Sequence, residues 1–407
     1  MSLLPVEEAQ QRLLDRASPI QDIEAVGLHQ AAQRVLAKDV VSKLTQPPFH
    51  ASAMDGYALR AADAAEPGTE LEVIGESAAG HAFDGMVRTG TAVRIFTGAP
   101  VPDGADSVLL QEDAEKLSPR CIRTLYPVST GRHIRPRGQD FTEGQTVLNV
   151  GAKLDFARLT LAAAANHDQL PVYRQPRVAL IATGDELVPP GGKPGPSQII
   201  GSNTFGVAAL AKDNGADVLD LGIVPDDRDA IHRAIEAAQA KNVDVIVTLG
   251  GASVGDHDLV QSTFLAAGMV LDFWKIAMRP GKPLMVGNLG TTHVLGLPGN
   301  PVSSMVCGLL FLEPLLARLG HLPAPNRMST AVLASPLKEN DRRQDYLRAR
   351  LSIGPSGERR VTSFEKQDSS MMNIFAQSDC LIIRPPHAPA MAAGETCPIM
   401  LLRDIGH

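Results

Sequence analysis

Val178-Ala179-Leu180-Ile181-Ala182-Thr183-Gly184-Asp185-Glu186-Leu187 is an apolar run that breaks on a glycine and two carboxylates. Five buried-type residues followed by a turn former predict a strand ending in a polar loop. The same grammar repeats downstream. Val178 to Ala182 precedes a helical pattern near Thr204 to Asn214, Val218 to Leu221 precedes Ile231 to Ala240, and Val243 to Leu249 precedes Leu259 to Ala267. Strands alternating with helices imply right-handed crossovers and a parallel sheet covered on both faces. Residues 173–325 are therefore expected to form a three-layer α/β domain with a parallel or mixed sheet. Ligands of such sheets sit beyond the carboxyl ends of the strands, which is where Gly184 to Glu186 fall.

Working outward, Val6, Ala9, Leu13 and Leu14 make one helical stripe, and Leu28, Ala31, Ala32, Val35 and Leu36 make another. Residues 1–44 are expected to be helical and to be rejoined by 145–172, where Leu154 to Ala165 is again helical in spacing. Between them, 45–144 carries short apolar runs (Leu71 to Ile74, Ala92 to Phe96, Ser107 to Leu110) separated by Gly, Pro and Asp, the pattern of an inserted β-rich domain. Past Pro323 and Pro325, residues 326–407 return to short β segments (Ala331 to Leu333, Tyr346 to Ile353, Cys380 to Ile383, Pro398 to Leu402) and predict a small β domain. A chain of 407 residues exceeds what one core supports, in keeping with several domains.

A formal net charge of −7 supplies no field for a nucleic-acid backbone. Met1 to Arg16 has Glu7, Glu8 and Asp15 among its apolar residues, so no secretory h-region is expected, nor a membrane span, and a cytoplasmic location follows. Cys121, Cys307, Cys380 and Cys397 are far apart, which argues against a zinc cluster or a redox pair.

Four segments follow strands of the α/β domain. Thr183 to Leu187 places two carboxylates where they can hold Mg²⁺ or cap a solvated turn. Thr248-Leu249-Gly250-Gly251-Ala252-Ser253-Val254-Gly255-Asp256-His257-Asp258 exposes backbone N–H groups before a helix, a common phosphate cradle. It is neither a P-loop nor a dinucleotide fingerprint. Asp258 suits a bridging cation there and equally an N-cap. Lys275-Ile276-Ala277-Met278-Arg279-Pro280-Gly281-Lys282-Pro283 gathers three cations in a stiffened stretch of an acidic protein, the mark of an anion site. Gly296-Leu297-Pro298-Gly299-Asn300-Pro301-Val302-Ser303-Ser304 opens an apolar helix and can face an oxyanion through Ser303, or simply form a rigid connection. In the β-rich region, Pro47 to Ala58 (with Asp55), Arg94 to Ala99 (with Thr97) and Arg135 to Asp140 each combine a charged or polar side chain with a glycine.

Taken in order, SAMDGYA, RIFTGAPVP, TGDEL, GGASVGDHD, MRPGKP and GLPGNPVS closely resemble the molybdopterin molybdenumtransferase family, which also includes the C-terminal part of gephyrin. The resemblance spans nearly the whole chain. It implies a homodimer of elongated four-domain subunits, an α/β molybdopterin-binding domain and a β-barrel-like C-terminal domain. The implied reaction joins adenylylated molybdopterin and molybdate into molybdenum cofactor with release of AMP, and requires Mg²⁺. Carried over by motif, Asp55, Asp140, Glu186, Asp226, Asp258, Lys275 and Arg279 would be catalytic, with Glu186, Asp226 and Asp258 on the metal. Thr97, Arg135, Gly250, Gly251, Ser253, Lys282, Pro298, Pro301, Ser303, Arg348 and Ser369 would bind substrate, and a second subunit is expected to complete the site. Molybdopterin adenylyltransferase and molybdoenzyme maturation proteins are the implied protein partners. The chain departs from the pattern at Arg279, where many relatives carry Lys, at Gln139, where Glu is common, and around Ser369-Ser370. Two other readings stay open: a non-enzymatic scaffold, and the adenylylation step itself.

Overall fold

The computed structural model describes residues 3–250 and 259–403. It resolves the chain into two compact units, one of residues 25–172 and one that joins the N-terminal 24 residues to 173–407.

Helix α1 (Val6–Asp15) belongs to the second unit, burying Val6, Ala9 and Leu13 along one stripe, as the apolar spacing predicts. The stripe from Leu28 to Leu36 is not a helix. Only a single 3₁₀ turn forms, Leu28–Gln30. Gln33 then takes a positive φ of 65°, and Val35 and Leu36 make isolated antiparallel bridges to Lys153 and Val172. Ala31, Leu36 and Val40 are buried with Leu148, Leu154 and Ala162, so the apolar residues do face a core, but from an irregular chain.

In the 25–172 unit, β1 (Gly56–Leu59), β2 (Glu70–Ser77), β3 (Thr91–Ile95), β4 (Ser107–Leu110), β5 (Ala114–Ser118) and β6 (Cys121–Thr124) form one sheet in the order β4-β1-β3-β2-β6-β5. Alternate residues feed two small cores: Tyr57, Leu59 and Leu109 enter one, Ala58, Val93, Ile95 and Val108 the other. Helix α2 (Phe156–Ala164) is capped by Asp155, whose carboxylate accepts from Arg158 N–H at 2.9 Å.

The second unit is built on β7 (Arg177–Thr183), α3 (Asn203–Asp213), β8 (Asp217–Val224), α4 (Arg228–Ala240), β9 (Val245–Leu249), α5 (Leu259–Ala266), β10 (Val270–Lys275), β11 (Pro283–Leu289) and β12 (Thr292–Leu297). Strand order is β8-β7-β9-β12-β11-β10. The first four strands are parallel, and β11 runs antiparallel to both its neighbours, β12 and β10, so the sheet is mixed. Antiparallel pairing arises because a short turn through Gly290, at φ 62°, folds β12 back on β11. Side-chain alternation on β7 makes the three layers. Val178, Leu180 and Ala182 face a core shared with α1, α3 and the helices after β12. Ala179 and Ile181 face α4 and α5.

After β12 the chain continues through α6 (Pro301–Cys307), a wider π-type turn and α7 (Glu313–Leu319). This 19-residue stretch is long and apolar enough to span a bilayer, but 83% of its most apolar window is buried inside the protein, the behaviour of a core helix. Finally β13 (Met328–Leu333), β14 (Gln344–Ile353), β15 (Arg359–Ser363), β16 (Cys380–Arg384) and β17 (Thr396–Leu401) close into a five-stranded barrel, because β16 pairs with both β17 and β14.

Asp244 ties the amino ends of the parallel strands. Its carboxylate takes Arg174 Nη1 and Nη2 at 2.9 and 3.0 Å and the N–H of Arg177 at 2.7 Å. Removing one partner of a largely buried pair leaves a charge uncompensated, so Asp244→Ala should lower unfolding free energy by about 3 kcal/mol in urea titrations. A loss below about 0.5 kcal/mol, the scale of an exposed pair, would contradict this assignment.

Candidate functional site

The carboxyl ends of β7, β9 and β12 open on a cleft of about 440 Å³, lined by Thr183, Gly184, Glu186, Asp226, Gly250 and the turn Pro298 to Pro301, with Ile199 to Thr204 opposite. Of the expected site residues it gathers Glu186, Asp226, Gly250, Pro298 and Pro301. Gly250 is there for steric reasons. Its φ is +100°, and a Cβ would lie 2.5 Å from the Thr183 carbonyl oxygen, so only glycine lets the backbone leave β9 against β7. Pro301 begins α6 at a position where a missing N–H is tolerated.

The acidic edge is tightly set. Asp185 Oδ1 accepts the N–H of Asp226 at 3.1 Å. Asp226 is held above the usual carboxylate range by loss of solvent, and further by the negative charges of Asp185 and Glu186. Neither Asp185, Glu186 nor Asp226 has a basic partner among the described salt bridges. An acidic group of this kind, un-neutralised at strand ends, fits a cation. The described residues alone do not assemble three close metal-type ligands. Asp258, the third expected metal ligand, lies outside the described residues, as do Gly251 and Ser253.

Ser303 is buried in the first turn of α6. Ser369 is fastened to the cleft's rim: its carbonyl accepts Val302 N–H at 3.0 Å and its hydroxyl accepts from Asn300 Nδ2 at 3.0 Å. Ser370 instead donates to Asp368, so of the two serines it is Ser369 that touches the Pro298 to Pro301 turn. Arg348 on β14 is almost fully buried, donates to the Asp368 carbonyl at 3.1 Å, and leaves Nε without a partner. Burial lowers its pKa, opposed by Asp368 and Asp345.

The cationic stretch is not in this cleft, although Pro283 is, and Pro283 pairs with Lys275 across β10 and β11. Arg279 is engaged already. Its Nε donates to buried Asp345 at 2.7 Å and Nη1 lies 3.2 Å from Asp341, so its charge is locally balanced. Lys275 and Lys282 have no carboxylate within 4.0 Å among the described residues.

In the 25–172 unit, Asp55 accepts both the N–H and the hydroxyl of Thr97, at 2.7 and 2.8 Å. Those bonds, the backbone one first, hold its carboxyl below the usual range. Arg135 and Asp140 share a recess of about 480 Å³ with Pro47, Phe49, Gly98 and Gln139. Sequence reasoning missed Asn203, whose Nδ2 donates to the Gly299 carbonyl at 2.7 Å, along with Asn300. Asn203 was findable, because it opens the helix that follows the β7 loop.

Residues 4–166 match the MoeA N-terminal region (domain I and II), 179–318 a probable molybdopterin binding domain, and 330–402 the MoeA C-terminal region (domain IV). The chain is 35% identical over 400 residues to a molybdopterin molybdenumtransferase of Haemophilus influenzae, with 98% of each chain covered. The chain belongs to the molybdopterin molybdenumtransferase family. It is thereby a transferase of molybdenum cofactor biosynthesis. A family member from Mycobacterium tuberculosis, molybdopterin molybdenumtransferase 2, is 36% identical over 379 residues, covering 91% of this chain and 92% of its own. Among solved structures, the molybdopterin biosynthesis MoeA protein of Pyrococcus horikoshii superposes with a TM-score of 0.82 at 29% identity, covering 99% of this chain and 100% of that one.

Asp226→Asn is expected to raise thermal stability at neutral pH. A carboxyl whose folded pKa is raised destabilises the fold when charged; that penalty is full above the folded pKa and absent below the ordinary value of 3.8. The gain should therefore shrink as pH falls from 7 toward 3.5 in melting scans. A loss of stability at pH 7 would overturn the assignment of un-neutralised charge.

Proposed function

We propose that this chain inserts molybdenum into molybdopterin: adenylylated molybdopterin and molybdate give molybdenum cofactor and AMP, with Mg²⁺. The observation that carries the reading is the meeting, in one cleft, of two carboxylates without a basic partner among the described residues (Glu186 and Asp226, with Asp185 beside them) with the rigid turn at Pro298 to Pro301. An adenylylated pterin is a bulky, multiply anionic ligand. A cleft with free acidic groups holds such a ligand only through a cation, and Glu186 and Asp226, joined by Asp258, are the residues that would bind it. Bound Mg²⁺ would supply charge stabilisation for the departing phosphate.

The chain's own groups divide the remaining work. Gly250 gives the ligand close access to the backbone. Ser303, Ser369 and Arg348 offer donors for an oxyanion beside the Asn300 turn, and Lys275 and Lys282 supply charge that no described carboxylate cancels. Asp55 with Thr97, and Arg135 with Asp140, are assigned to substrate handling by family motif, as are the roles of Gly251, Ser253 and Arg279. We assign domains to 1–44 with 145–172, 45–144, 173–325 and 326–407, although the first 24 residues pack with the unit of 173–407, together with a homodimeric state and a cytoplasmic location. Molybdopterin adenylyltransferase and molybdoenzyme maturation proteins are the assigned partners.

Purified protein given adenylylated molybdopterin, Mg²⁺ and molybdate should release AMP and yield cofactor that reconstitutes a molybdoenzyme. No AMP would favour a scaffold role, and ATP-dependent adenylylation of molybdopterin would favour the preceding step. Lys275→Ala should raise the half-saturating molybdate concentration roughly ten-fold, the loss of a charge-assisted contact of about 1.4 kcal/mol. An unchanged molybdate dependence would remove Lys275 from the anion site. Asp258→Asn should cut AMP release by about 100-fold or more while leaving the melting temperature nearly unchanged, since its role is in transition-state charge stabilisation. Equal losses in both would return Asp258 to an N-cap.

A further inference from the structure

Trp274 and Lys275 are neighbours on β10, and in a regular strand their side chains would point to opposite faces of the sheet. They do not. Pairing of β10 with β11 shifts register between Leu271 and Phe273 and again between Phe273 and Lys275, and such bulges re-aim side chains. Lys275 Nζ lies 4.2 Å from the centroid of the Trp274 ring, inside cation–π range. The indole is partly buried and packed against the core on the α4 and α5 face.

The kind of restraint matters for chemistry. A carboxylate would hold Lys275 and cancel its charge, which is what Asp345 and Asp341 do to Arg279. An aromatic face holds the ammonium through its quadrupole and leaves the full charge for an incoming anion. Trp274 is not placed there for its own hydrogen bond, because Nε1 is buried with no acceptor among the described residues, an arrangement that costs stability.

We propose that Trp274 is the positioning residue for Lys275, fixing its ammonium ready for molybdate without neutralising it; this rests on the reading of Lys275 as an anion-binding group. The test compares Trp274→Leu, Trp274→Phe and Lys275→Ala, measuring kcat and half-saturating molybdate for AMP release. Trp274→Leu should raise half-saturating molybdate roughly five-fold, within the span of a partly desolvated cation–π contact, with kcat changed less than about two-fold because the contact acts on binding. Trp274→Phe, which keeps an aromatic face, should recover most of the loss. Because Trp274 is the only tryptophan in the chain, its emission should also change as molybdate is titrated, with the kinetic midpoint, and should not respond in Lys275→Ala.

Unaltered molybdate dependence in Trp274→Leu, alongside a raised requirement in Lys275→Ala, would overturn the positioning role and leave the anion site standing. Equal impairment of the Leu and Phe variants, or a fall in kcat alone, would overturn it too. If Lys275→Ala also leaves the molybdate requirement unchanged, the anion site itself fails. Should Trp274→Leu not fold, the Phe variant and the emission titration decide: an unresponsive wild-type emission counts against the proposal.

Discussion

Crowding of negative charge at the carboxyl ends of β7 and β8 is the constraint on which the rest of the site depends. Asp185, Glu186 and Asp226 are brought together because parallel strands end at one edge and their loops have nowhere else to go. Elsewhere in the same unit, carboxylates set deeper in the fold are matched: Asp244 by Arg174, Glu313 by Arg327, Asp345 by Arg279. The strand-end group is exposed and has no basic partner among the described residues, which leaves its charge for a ligand. Tension of this kind is typical of functional sites.

Opposite chemistry is handled in a parallel way around Lys275 and Arg348. Lys275 is steadied by an aromatic ring rather than by an acid. Arg348 is buried at the barrel wall, and desolvation works against its charged form. Both retain electrostatic demand that an oxyanion would meet. Ser369 ties the loop beyond β15 to the turn that opens α6, so the barrel contributes to the rim of the α/β cleft.

Much of this was legible in the sequence, for identifiable reasons. The strands of the α/β layer announce themselves because both faces are buried, giving unbroken apolar runs such as Val178 to Ala182. The cleft residues were legible because Gly184, Gly250 and Pro298 punctuate strand ends. The stripe from Leu28 to Leu36 misled because helical spacing and an irregular chain packed on a core satisfy the same burial requirement. β11 and its return to β12 were not separated in the sequence, since a fully buried hairpin lacks alternation. β15, Arg-Arg-Val-Thr-Ser, escaped because only Val361 of its five residues is buried. The pairing of Arg279 with Asp345 was beyond reach, because 66 residues separate the partners and nothing local signals their contact.

The central claim, that un-neutralised carboxylates await a cation, is tested most directly by the melting temperature as Mg²⁺ is titrated into the wild-type protein and into Asp226→Asn. A cation that binds only the folded state raises stability in a saturable way. The wild type should show that rise, and the variant should show little. No rise in the wild type, or an identical rise in both, would contradict the assignment of Asp226 to cation binding.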